Sequence, residues 1–147
     1  MQLANKLKAL LSADRALTTR EAFVGTLVCA CRCDGHMADC ELQSLVTCML
    51  RMKLYNGLDG KSCGALIDKT NQRYDEKGID AFLQSCISVL PSELANSAFA
   101  NACNVVLSDG VVGQLEKEFI DKLAGMLSLE PSRAKKIAEF IIVKNRG

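Results

Sequence analysis

The sequence has little net charge, one histidine and two prolines, and each shortage narrows what the chain can be. A formal charge of +1 at neutral pH gives no broad field to attract nucleic acid or an anionic membrane. No apolar run reaches about 18 residues, so no membrane-spanning helix is expected. Strand-like alternation bounded by tight hairpin signals is missing. So are the P-loop and the dinucleotide fingerprint. The single histidine, His36, could pair with a cysteine, but nothing supplies an orienting third group or an oxyanion hole. These gaps favour a binding or scaffold module over an enzyme.

What is present reads as helix. The 147 residues are 49 % apolar and 24 % charged, which supports one folded domain over residues 1–147 with a sizeable core. The opening segment MQLANKLKALLSADRA sets Leu3, Leu7, Leu10 and Leu11 on one helical face. Its apolar stretch is too short and too interrupted for an export signal. A cytoplasmic location with reduced thiols is therefore expected. The spacing predicts helices over roughly 2–12, 18–33, 38–55, 60–75, 78–90, 92–107, 113–127 and 131–145. Thr18 and Glu21 carry the capping-box spacing at the second of these. Pro91 and Pro131 each sit where a helix can begin. The expected fold is an all-α, compact bundle of about seven to eight helices.

The chain also repeats itself. CDGHMADCE, residues 33–41, aligns with SDGVVGQLE, residues 108–116. Asp34 pairs with Asp109, Gly35 with Gly110, Met37 with Val112 and Glu41 with Glu116. Ala22-Phe23 and Ala98-Phe99 recur upstream, one residue out of step. Two related helix–turn–helix halves are therefore expected. The third Asp-Gly pair, Asp59-Gly60, has Leu66 where the carboxylate would stand, so the distal Glu is not automatic.

Gly, five residues and Glu also form the second half of an EF-hand loop. The first half fails. Ala30 or Val105 would stand at position one, and Arg32 or Leu107 at position three, and none offers a carboxylate. What survives is reach: an Asp in the turn and a Glu in the next helix's first turn can share one cation. A structural role competes with this. Gly35 and Gly110 can end helices, and a first-turn Glu meets the positive end of the helix dipole. The caps would then be Ala38 and Gly113, which lack the hydroxyl of a capping box. Asp39 and Glu118 add further carboxylates nearby. On the residues alone the structural role stands ahead of the metal site.

The paired Asp-Gly-x5-Glu units, and the ending LSLEPSRAKKIAEFIIVKNRG, resemble the tellurite-resistance TerB-like family over roughly residues 20–145. The resemblance implies a helical bundle of two related halves and a stress-response role in the cytosol. Its implied partners are other proteins of a stress-response complex, membrane-associated or not, with no nucleic acid and no membrane insertion. A homodimer is an arrangement open to it. It also implies an acidic site for a divalent ion (calcium, magnesium, manganese or zinc) at Asp34, Glu41, Asp109 and Glu116. The sequence departs from the family pattern at Ala38 and Gly113, which weakens the helix caps rather than the ligand set.

The eight cysteines suggest zinc at first sight. Yet Cys29, Cys31 and Cys33 fall within a helix, where residues two apart point to opposite sides, and the C-x2-C spacing never occurs. In the second half Val106 replaces Cys31 and Leu115 replaces Cys40, as expected of small buried hydrophobes. Core packing is the expectation. Two alternatives accompany the carboxylate site: a helical interaction scaffold in which the carboxylates are only structural, and a thiol-based zinc or metalloid site at Cys33, His36 and Cys40.

Overall fold

The computed structural model describes residues 3–4, 16–34, 39–107 and 112–146. Among these residues the fold is all-α, with seven α-helices and no strand. They are α1 (Thr19–Arg32), α2 (Asp39–Leu50), α3 (Gly60–Lys77), α4 (Ile79–Val89), α5 (Ala95–Val106), α6 (Gln114–Met126) and α7 (Pro131–Asn145). Leu3 and Ala4 are helical; the rest of the helix expected over 2–12 lies outside the described residues.

The centre of the fold is α1. Every residue from Glu21 to Cys31 is buried, so this stretch has no solvent face, and the helix packs against α3, α4 and α5. Helices buried all round need apolar or small residues all round, and Ala22, Phe23, Val24, Leu27, Val28 and Cys29 supply them. Gly25 sets the closest approach. A Cβ there would lie 2.6 Å from Cys86 Sγ and 2.9 Å from Phe82 Cζ, so α4 can seat against α1 only because that atom is missing. Thr26, also buried, spends its hydroxyl on the Ala22 carbonyl at 2.9 Å, which satisfies the donor inside the core.

The start of α1 is the capping box read from the sequence. Glu21 N donates to Thr18 Oγ1 at 3.1 Å, and Thr18 N donates to Glu21 Oε1 at 3.0 Å. The other Glu21 oxygen meets Lys69 Nζ of α3 at 2.7 Å. Burial pushes the Glu21 carboxyl up, but the Lys69 ammonium and the Thr18 donors outweigh it and hold the group below the ordinary glutamate value. One residue therefore caps α1 and pins it to α3.

Two sequence expectations change in the structure. The helix expected over 38–55 ends at Leu50, and a separate 3-10 turn covers Lys53–Tyr55. Tertiary bonds cause the break. Tyr55 is buried, donates its hydroxyl to Arg20 O at 2.8 Å and meets Phe23 edge-on. In return Arg20 Nε and Nη2 donate to Leu54 O and Asn56 O at 2.7 and 3.0 Å. A continuing α-helix would carry these groups away from the start of α1. The helix expected over 92–107 likewise opens with a 3-10 turn, Ser92–Leu94, before α5 begins at Ala95. Elsewhere α3 runs to Lys77, slightly past expectation. There Gly78, at φ 83°, donates to Tyr74 O at 2.8 Å and turns the chain straight into α4.

Two measurements check this arrangement. Gly25→Ala should cost about 1–3 kcal/mol, because both neighbours are core side chains with little room to yield; urea unfolding would read it. For Glu21 the folded pKa is depressed. Its stabilising contribution is present above the unfolded value and is lost as pH falls through the folded one, on the acid side of the ordinary glutamate range. Glu21→Gln should lower stability at neutral pH by about 1–3 kcal/mol and flatten the acid limb of the stability–pH curve.

Candidate functional site

The Asp-Gly-x5-Glu units flank the outgoing ends of α1 and α5, two helices that pack against each other. The end of α1 is held firmly. Arg32 Nη2 meets Asp75 Oδ1 at 2.7 Å, Nη1 donates to Asn71 Oδ1 at 3.2 Å, and the guanidinium lies 3.9 Å from the centre of the Tyr74 ring. Positive charge at a helix C-terminus also meets the negative end of the dipole. This clamp ties the last turn of α1 to α3, just before Asp34. Asp34 itself is exposed in the turn that follows.

Of the four sequence-derived ligands, Asp34 and Glu116 have described side chains. Glu41 lies in the first turn of α2, but its side chain falls outside the described residues, and so does Asp109 as a whole. Gly35, His36, Met37, Ala38 and Gly110 are outside them as well. Among the described residues no group of three or more His, Cys, Asp or Glu side chains is arranged to hold a metal.

Glu116 is half-buried, with its side chain folded back over the start of α6. Its Oε1 accepts from Gly113 N at 3.2 Å, which is one half of a capping box. Gly113 has no side chain to return the other half, as the sequence indicated. That bond uses one carboxylate oxygen and leaves Oε2 out of the cap. Glu118 is exposed and accepts from Gln114 Nε2 at 3.1 Å. Carboxylate oxygens of this kind suit calcium, magnesium or manganese.

Most of the described cysteines behave as core atoms. Cys29, Cys31, Cys63, Cys86 and Cys103 are buried, and Cys33 and Cys48 are half-buried. Burial pushes the Cys86 and Cys103 thiols up to about 12, and raises Cys29 as well, with a smaller push from Cys86 beside it. Neutral thiols of this kind are poor ligands and poor nucleophiles. The alternative site at Cys33, His36 and Cys40 has only the Cys33 side chain among the described residues. Native-state labelling with a thiol reagent should modify the five buried cysteines only at the rate of unfolding, and Cys33 and Cys48 faster; mass spectrometry of the labelled peptides reads this directly.

One grouping escaped the sequence reading. A cavity of about 550 Å³ between α2, α5 and α7 brings Arg51 and Lys144 together with Cys48, Asn101 and Asn104. The two cations lie far apart in the chain, and no periodicity links them.

The model of one family, the tellurite resistance protein TerB, matches residues 20–139. No curated protein and no solved structure matches the chain significantly. The matched span runs from the first turn of α1 into α7 and contains both Asp-Gly-x5-Glu units, so the chain belongs to the TerB family.

Proposed function

We propose that this TerB-family chain is a non-enzymatic, stress-response binding protein that takes up a divalent cation through Asp34, Glu41, Asp109 and Glu116. One observation carries the reading: the two helices that lead into the duplicated units, α1 and α5, pack against each other. Their shared burial supports it further. Ala22 and Phe23 of α1, and Ala98 and Phe99 of α5, all lie in the core, as two halves of common design would require. Asp34 is exposed to solvent and Glu116 keeps one carboxylate oxygen clear of its cap. If the two turns meet, four carboxylates in one place would repel one another, and a cation relieves that cost. The protein partners are other members of a stress-response complex, and a net charge of +1 argues against nucleic acid.

A second reading has its own observation. The Glu116 to Gly113 bond is what a purely structural helix start would use. On that reading the chain is a helical interaction scaffold.

Calorimetric titration of the metal-free protein with calcium, magnesium, manganese and zinc separates these. The carboxylate site predicts saturable binding that falls at least about tenfold, or ~1.4 kcal/mol, in the Asp34→Asn/Glu116→Gln double variant. The amide oxygen introduced by Glu116→Gln can still accept from Gly113 N, so the helix start survives and circular dichroism should be unchanged. Unaltered binding in that variant overturns the assignment. Loss of binding in Cys33→Ser instead moves the site to the thiols. Absence of binding by every ion leaves the scaffold.

A further inference from the structure

The cavity between α2, α5 and α7 is lined from three helices that are distant in sequence. Thr47, Cys48 and Arg51 come from α2 and the residue after it, Asn101 and Asn104 from α5, and Lys144 from the last turn of α7. Two cations face it, and among the described residues no carboxylate lines it. Both cationic side chains are exposed at its mouth, and several other cations of the fold are taken up. Lys69 is paired with Glu21, Arg32 with Asp75 and Lys122 with Asp80, while Arg20 is spent on two carbonyls. Among the described residues no ion pair involves Arg51 or Lys144.

The polar wall is already oriented. Asn101 Oδ1 accepts from the Cys48 thiol at 2.8 Å, and its Nδ2 donates to Ser97 O at 2.8 Å. Asn104 Oδ1 accepts from Lys144 Nζ at 3.1 Å and from Asn145 Nδ2 at 3.3 Å. The Lys144 ammonium has three N–H donors; among the described residues Asn104 and Asn145 accept two of them. Burial raises the Cys48 thiol, and Lys144 and Arg51 pull it back, Lys144 more, so both cationic heads act on the same spot. Cys48 stays a neutral thiol.

We propose that this cavity binds a small phosphate-bearing metabolite, its phosphate dianion held between Arg51 and Lys144 and its organic body in the space between α2 and α5. Two positive charges with no carboxylate among the described lining call for a dianion. The Arg51 guanidinium offers the paired donors that phosphate oxygens take, and Lys144 adds a point charge. The volume suits a small molecule. Positive charge at the ends of α2 and α7 also complements their dipoles, so the test has to separate ligand binding from helix stabilisation.

Titration of the isotopically labelled full chain with a sugar monophosphate, inorganic phosphate and succinate, followed by amide NMR, does this. Saturable shifts at Thr47, Cys48, Asn101 and Lys144 are expected with the sugar phosphate, and weaker binding with inorganic phosphate. Arg51→Gln/Lys144→Gln should weaken sugar-phosphate binding by more than about tenfold while urea unfolding changes little. Lys144→Gln alone gives a partial loss if the double variant unfolds. Succinate binding as tightly as the sugar phosphate overturns the phosphate assignment. Inorganic phosphate binding equally overturns the organic body. No saturable shift, or shifts indifferent to both substitutions, overturns the site.

Discussion

The fold depends on burying α1 on every side. A helix without a solvent face can be held only by neighbours on all of them, and α3, α4 and α5 take those places. The contact is tightest at Gly25, where Cys86 and Phe82 occupy the space a side chain would fill. The rest is arranged around that contact, because interiors pack at crystal-like density and transmit displacement instead of absorbing it. Glu21 is the charged exception in the buried run. It is tolerated because its oxygens are met by Thr18 and Lys69, and a buried charge with partners need not carry the desolvation cost of an isolated one.

That central helix also leads into the first of the candidate units. Both Asp-Gly-x5-Glu units follow in sequence the helices of the packed pair α1 and α5. The Arg32 clamp onto Asn71, Tyr74 and Asp75 fixes the last turn before Asp34. On the proposed reading, carboxylates gathered on such a frame would repel one another and favour a cation. The cavity beside Cys48 follows the opposite logic, with cations gathered at helix ends and no carboxylate among its described lining.

Much of the fold was legible in the residues. The capping pair Thr18 and Glu21, the Pro131 start of α7 and the Gly113 start of α6 are local signals, and the structure has them where the sequence put them. The break after Leu50 was not legible, because it follows from hydrogen bonds between Arg20 and residues more than thirty positions away. The same kind of separation hid the Lys69 partner of Glu21. The cysteines were legible in part: comparison of the two units pointed to packing for Cys31, and its burial agrees. At the candidate site, the sequence offered residue types and spacing, whereas whether the two units meet is a matter of distances that spacing cannot contain.

The sequence by itself determined an all-helical chain, since helical periods and caps depend on residues close together, and it carried the TerB resemblance and the candidate carboxylates. Only the tertiary structure decided that α1 lies at the centre, that Glu21 is pinned to Lys69, and that Arg51 and Lys144 share a cavity. Those outcomes depend on which faces are buried against which. A helical period repeats every few residues and specifies a face, but it carries no label for the face it will meet.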